Sequence, residues 1–231
     1  MNKVLVIIPA YNEERSIGMV LGNIRAFLPE VDVLVINDGS VDDTSGIAKS
    51  SGAMVLDLPS NLGIGSTIQT GLLFAAQRGY SVVVRLDADG QHRPEEVEAL
   101  VQPILGGEAD MVVGSRFISN AGFSSTFARR VGIRFFSALV SLVIRRRVTD
   151  PTSGFQAMNN KVVKFFAWEY PPDYPEVEAL ILANKAGFRV KEVPAMMLER
   201  SEGQSSINFV RSLYYVLEVL ISIAVSAFRK L

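Results

Sequence analysis

The chain contains no cysteine and a single histidine. The first absence excludes disulfides, zinc-thiolate and iron-sulfur centres, and thiol nucleophiles. The second excludes multi-histidine metal sites and leaves only His92 on which a Ser-His-Asp relay could be built. An excess of charge of one sign is missing too. The 23 Lys and Arg against 24 Asp and Glu leave a formal net charge of -1, and the isoelectric point is near 5.9. That balance gives nucleic acid no bulk electrostatic attraction. No uncharged, strongly apolar run reaches the roughly 18 residues of a membrane-spanning helix. The short run at 4–8, stopped by Pro9, lacks the layout of a secretory signal. Glycine-rich phosphate cradles are absent as well. Gly63-Ile64-Gly65 is followed by Ile68 where a dinucleotide fingerprint needs its third glycine, and no Gly-Lys-Ser/Thr occurs. Hydride transfer on a dinucleotide is therefore excluded. The chemistry is left to carboxylates, arginines, hydroxyls, amides and a hard metal ion.

What is present is a chain of 231 residues, 48% hydrophobic and 20% charged, which excludes disorder and supplies a sizeable core. Mean hydropathy is +0.26, high for a surface that water must wet. The first half alternates. Short runs of Val, Ile and Leu at 3–8, 31–36, 53–57, 81–86 and 110–114 are separated by helical spacing at about 14–28, 43–51, 64–78 and 94–105. Continuous apolar strands divided by helices predict a parallel sheet covered on both faces. Beyond residue 115 the pattern changes. Residues 127–147 and 209–228 read as helices that are apolar nearly all round. Each has a thin polar stripe: Arg130, Arg134, Ser137, Ser141 and Arg145 on the first, Arg211, Tyr215, Glu218, Ser222 and Ser226 on the second. Two readings stand: core helices of a compact domain, or helices in a membrane interface with Arg145, Arg146 and Arg147 meeting anionic head groups.

In an open parallel sheet, ligands bind beyond the carboxyl ends of the strands near the topological switch point. The tips here carry acids: Glu13 and Glu14 after the first strand, Asp38 after the second, Asp87 and Asp89 after the fourth. Two carboxylates two residues apart can converge on Mg2+ or Mn2+, an ion commonly shared with substrate phosphates. Gln91 offers a further neutral oxygen. The alternative is a turn held by Asx hydrogen bonds, since Asp-Gly is turn chemistry. His92 reads as a solvated loop residue. Trp168, Tyr170 and Tyr174, among Pro171, Pro172 and Pro175, read as loop packing.

Five segments now carry a resemblance. Val6-Ile7-Ile8-Pro9-Ala10-Tyr11-Asn12-Glu13-Glu14, Asn37-Asp38-Gly39-Ser40, Asn61-Leu62-Gly63, Asp87-Ala88-Asp89-Gly90-Gln91 and Gly114-Ser115-Arg116, in that order, resemble family 2 glycosyltransferases of the GT-A fold. Asp150-Pro151-Thr152-Ser153-Gly154-Phe155, Glu192-Val193-Pro194 and Arg200-Ser201-Glu202-Gly203-Gln204-Ser205-Ser206 resemble the polyprenyl-phosphate sugar synthases, the group containing dolichol-phosphate mannose synthase. The resemblance implies an α/β GT-A domain over 1–208, with a mostly parallel nucleotide-binding sheet, flanking helices and an interfacial apolar helix near 127–147. A C-terminal apolar helix at 209–231 follows. It implies that Pro9, Tyr11, Glu13, Ile36, Asp38, Asp87 and Ala88 hold the nucleotide sugar. Asp87, Asp89 and Gln91 would hold Mg2+ or Mn2+. Arg116, Arg134 and Arg200 would meet the lipid phosphate, together with Ser206, where some relatives place a basic residue. Asp89, Arg116 and Arg200 are the expected catalytic residues.

The implied reaction is inverting transfer of one sugar from UDP-GlcNAc, UDP-glucose or GDP-mannose to polyprenyl phosphate, for cell-envelope glycan or glycoconjugate assembly. The implied location is peripheral, on the cytoplasmic face of a membrane, with a small hydrophobic partner subunit as another cover for the apolar helices. A phosphate acceptor is already anionic and needs no general base, so the scarcity of His and Cys is no handicap. Two rivals remain. A saccharide or protein hydroxyl acceptor would require a base, and Glu176 and Glu178 fall where such family 2 enzymes place one. A catalytically silent nucleotide-sugar binder could scaffold a membrane assembly.

Overall fold

The computed structural model describes residues 3–118, 127–172 and 175–198, with the backbone alone for 127–133. Strands β1 (Val4–Ala10), β2 (Asp32–Asn37), β3 (Met54–Asp57), β4 (Val82–Arg85) and β5 (Met111–Ser115) fall within about a residue or two of the runs expected from sequence. Helix α1 (Ile17–Phe27) starts three residues later than expected, while α2 (Thr44–Ser50), α3 (Ile64–Arg78) and α4 (Val97–Leu105), the last entered through a short 3-10 turn at Pro94–Glu96, fall as close as the strands do. Along β1 the side chains alternate as period 2 demands. Leu5 and Ile7 enter one core cluster with α3, while Val6 and Ile8 enter the other with α1 and α4.

The second half departs from the sequence reading. The helix expected near 127–147 is α5 (Phe127–Ile144), while helices α6 (Asn160–Glu169) and α7 (Pro175–Lys185) and two strands, β6 (Gln156–Asn159) and β7 (Val190–Pro194), are additions to that reading. Seven strands run in the order β3-β2-β1-β4-β6-β5-β7. β6 is antiparallel to both neighbours, and the other pairings are parallel. β6, Gln-Ala-Met-Asn, has no β-branched residue, and β7, Val-Lys-Glu-Val-Pro, has two valines without a regular apolar alternation, so both depend on their neighbours. β6 is buried in all but its last residue because it lies between two apolar strands.

Helix α5 carries apolar side chains on both a buried and an exposed face. Phe136, Val140 and Ile144 are buried, whereas Phe135 is 49% and Leu142 78% exposed. The serines of the polar stripe do not meet water as a surface stripe would. Ser137 Oγ donates to the carbonyl of Val148, and Ser141 Oγ accepts the Val148 N–H at 2.9 Å, tying the returning chain to the helix. The helix stops at Ile144 because Arg145 takes a left-handed φ of 55°. No helix among the described residues is long and apolar enough to cross a membrane. The expected helix at 209–228 lies outside the described residues.

Candidate active site

The strand order turns back on itself at β1 and β4, and a cleft of about 340 Å3 opens at their carboxyl ends. Pro9, Tyr11 and Glu13 line it from β1, Asp38 from β2, and Arg85, Asp87, Ala88 and Asp89 from β4. Gly63 and Thr67, at the opening of α3, close the fourth side. The cleft thus gathers every expected nucleotide-sugar residue except Ile36. That side chain is fully buried beneath α3. Ile36 lies within β2, where both faces of the sheet are covered, whereas Asp38 stands just past the strand's last residue and lines the cleft.

Asp38 is 3% exposed, and its two carboxylate oxygens accept the N–H groups of Leu62 at 2.8 Å and Gly63 at 3.0 Å. It therefore sets the loop that opens α3. Gly65 lets that helix lie close, since a Cβ there would stand 2.2 Å from the Pro172 carbonyl oxygen. Glu13 accepts a 2.6 Å hydrogen bond from Ser16 Oγ, and its own N–H donates to Thr44 Oγ1 at 2.8 Å. The acids at these strand tips are thus held by donors of the fold.

The floor is built around a residue the sequence reading passed over. Arg85 ends β4, and its side chain is 4% exposed. Its Nε donates to Asp87 Oδ1 at 3.2 Å, Nη2 lies 3.1 Å from the same oxygen, and Nη1 lies 2.7 Å from Glu176 Oε1 on α7. Burial alone would lower the Arg85 pKa, but Asp87 and Glu176 outweigh it and raise it, so the guanidinium stays charged. His92 is a correction to the sequence reading. It is 5% exposed, stacks 5.0 Å from the Phe155 ring, and accepts the Asp87 N–H on Nδ1 at 3.0 Å. Burial lowers its pKa, and the accepted N–H makes Nε2 the protonated nitrogen of a neutral ring. Trp168 is also corrected: it stands on α6 and is 76% exposed. Tyr170 is buried, and Tyr174 lies outside the described residues.

The donor set at the cleft fits a hard divalent cation. Asp87 and Asp89 are oxygen ligands without thiolate or exposed imidazole beside them, and Arg85 offsets part of their mutual repulsion. Among the described residues, no three His, Asp or Glu side chains gather into a complete cage. A cation here would take its remaining ligands from donor phosphates and water. Gln91 does not line the cleft: its N–H donates to Asp89 Oδ1 at 3.0 Å and its side-chain nitrogen to the Leu198 carbonyl at 3.3 Å.

The fifth strand tip is organised differently. Arg116 is 8% exposed and forks onto the fully buried Asp150, Nε to Oδ2 at 2.6 Å and Nη2 to Oδ1 at 2.7 Å. Nη2 also donates to Thr152 Oγ1 at 2.8 Å. Asp150 is held in turn. Glu192 on β7 accepts the N–H of Thr149 at 2.8 Å and that of Asp150 at 2.9 Å. The structure therefore differs from the expectation of an outward phosphate contact at Arg116, because a bidentate carboxylate occupies its fork. Arg134 is exposed on α5. Arg200 and Ser206 lie outside the described residues. The described chain ends at Leu198, whose N–H donates to the Gln91 carbonyl at 2.9 Å, so β7 leads directly to the loop that carries Asp89.

The sequence reading missed the partners Arg85, Asp150 and Glu192. A signal existed for the first: an arginine closing a run of three valines and standing two residues before an acid. A charge in a buried strand must find a partner.

Residues 5–166 match the family model of glycosyl transferase family 2, and the chain belongs to that family. Its seven-stranded, mostly parallel sheet with flanking helices is the GT-A architecture. The undecaprenyl-phosphate mannosyltransferase of Micrococcus luteus is 32% identical over 215 residues, covering 89% of this chain and 88% of that one. The UDP-N-acetylglucosamine–dolichyl-phosphate N-acetylglucosaminyltransferase of Methanococcus voltae is 30% identical over 211 residues, 83% of this chain and 84% of its own. Glucosyl-3-phosphoglycerate synthase from Mycobacterium tuberculosis, solved with Mn2+, UDP and glucosyl-3-phosphoglycerate, has the same fold. Its TM-score is 0.73 at 23% identity, over 98% of this chain and 80% of that one.

Proposed function

We propose that this glycosyltransferase moves one sugar from a nucleotide-sugar donor to a polyprenyl phosphate, with inversion at the anomeric carbon. One observation carries the choice of acceptor: Glu176, one of the two carboxylates expected where a hydroxyl acceptor would need a base, is committed to Arg85 at 2.7 Å. The one histidine is buried and neutral behind Asp87. A phosphate nucleophile requires neither residue. The names of the Micrococcus and Methanococcus relatives support the same acceptor class.

In this reading the donor lies in the cleft, with its base and ribose against Pro9, Tyr11, Glu13 and Asp38 and its diphosphate toward Asp87, Ala88 and Asp89. Asp87 and Asp89 hold Mg2+ or Mn2+, which when bound supplies positive charge to the departing diphosphate. Arg134, Arg200 and Ser206 meet the acceptor phosphate, while Arg116, locked on Asp150, holds a fixed positive charge at the same sheet edge. The residues thereby orient an oxyanion that already carries its charge, and no proton need move before the new C1–O bond forms. The exposed apolar face of α5, with Phe135 and Leu142 outside and Arg145, Arg146 and Arg147 at its end, supports a peripheral place on an anionic membrane surface.

The test is turnover with undecaprenyl and dolichyl phosphates against UDP-GlcNAc, UDP-glucose and GDP-mannose. The expected product is an acid-labile glycosyl phosphate, inverted by NMR relative to the donor. A sugar on a hydroxyl group, or no turnover with any pair, overturns the reading.

A further inference from the structure

Arg85 closes a strand otherwise made of valines, and its guanidinium is almost wholly buried behind the cleft floor. A buried guanidinium must be balanced, and one well-placed carboxylate balances it. Two are present. Glu176, partly buried in the first turn of α7, grips Nη1 from behind at 2.7 Å. The other carboxylate is Asp87, which lines the cleft and receives both Nε and Nη2 on its Oδ1. A core ion pair alone would have used Glu176 and left Asp87 to the loop. The backbone also makes room for this arrangement. At Gly154 a Cβ would stand 2.9 Å from both Arg85 Nη2 and Asp87 Oδ2, so a side chain is omitted where the pair is seated.

We propose that Arg85, braced by Glu176, is a positioning residue that fixes the Asp87 carboxylate for the divalent cation and the donor diphosphate. By sharing Oδ1 it holds the carboxylate plane and sets which oxygen is turned from it. Its charge also lessens the repulsion that a diphosphate meets beside two acids. The assignment rests on reading Asp87 and Asp89 as the cation site. It gives Glu176 a task other than proton abstraction, since its Oε1 is engaged by the buried guanidinium at 2.7 Å.

The experiment is calorimetric titration of Mn2+ with UDP and, separately, with GDP, with thermal unfolding followed in parallel. Arg85→Met strands Glu176 without its cation and is expected to lower both Tm and Mn2+·nucleotide affinity. The double variant Arg85→Met/Glu176→Gln removes both charges. Its Tm is expected to recover toward that of the wild type, while Mn2+·nucleotide affinity stays weaker by on the order of tenfold or more, as for other residues that orient a metal ligand. A double variant that binds Mn2+·nucleotide as tightly as wild type reduces the pair to a core ion pair and overturns the proposal. Should the double variant not fold, Arg85→Lys decides, because an ammonium keeps the charge without the fork. Weaker binding is then expected, and unchanged binding overturns the proposal. A wild-type chain that binds neither nucleotide in an Mn2+-dependent way overturns the cation reading itself, and the role of Arg85 with it.

Discussion

The proposed donor and acceptor sides of this molecule hold their charges in opposite ways. On the donor side, acids at strand tips are fixed by donors: Asp38 by two backbone N–H groups and Asp87 by Arg85. On the acceptor side, a cation at a strand tip is fixed by acids: Arg116 by Asp150, whose own backbone N–H is held by Glu192. Each arrangement suits its partner. A carboxylate held by donors is fixed in orientation, which in the proposed reading suits a metal ion that brings a diphosphate with it. A guanidinium locked on a carboxylate is held in a fixed position, which in the proposed reading places its charge in advance of a mobile phosphate. The difference teaches that the two halves can be weakened separately.

The largest expected effect is on the donor side. Asp89→Asn should reduce turnover by on the order of 10²-fold or more, as loss of charge stabilisation at a departing group does. It should also abolish Mn2+-dependent binding of the nucleotide while leaving the circular dichroism spectrum intact. Activity that persists in excess chelator would remove the metal from the donor side altogether.

Next comes the acceptor side, where structure and function fall together. Asp150→Ala leaves Arg116 buried without a counter-charge and should cost about 3–5 kcal/mol in urea unfolding. Glu192→Gln leaves buried N–H groups less well satisfied and should cost about 1–3 kcal/mol. In both variants transfer to polyprenyl phosphate should fall further than Mn2+·nucleotide binding. Equal losses in the two measurements would show that donor and acceptor sides form one cooperative unit.

The smallest effect concerns the surface. Co-sedimentation with anionic liposomes is expected, and changing Arg145, Arg146 and Arg147 to Gln should weaken it. The gap from wild type should be widest at low salt, where screening is least. Protein that stays monodisperse without detergent and ignores liposomes would assign the outer face of α5 to some other cover.

Much of the donor side was legible in the sequence because its residues follow directly from the strands. Continuous Val/Ile/Leu runs mark a buried parallel strand, and the strand's end sets where the next side chains point. Pro9, Tyr11, Asp38, Asp87 and Asp89 could therefore be placed at one edge before any contact was known. Ile36 shows the limit of that logic, since the strand runs one residue past it and its side chain stays in the covered sheet. His92 shows another: a polar loop residue is solvated by default, and only packing against Phe155 buries it.

The sequence by itself determined the order of apolar strands and helices, the acids at the strand tips and the exclusion of cysteine, multi-histidine and nucleotide-fingerprint chemistry. These follow from composition and from short-range periodicity, which are properties of neighbouring residues. The tertiary structure alone decided which charges meet. Arg116 finds Asp150 across 34 residues, and Thr149 finds Glu192 across 43, while Arg85 joins the cleft floor to α7. It also made strands of β6 and β7, whose sequences lack an alternating apolar pattern, because the edges of β4 and β5 offered their unpaired backbone groups to them. A buried N–H, carbonyl or charge takes whatever partner the fold brings near, and that partner is written nowhere in its local sequence.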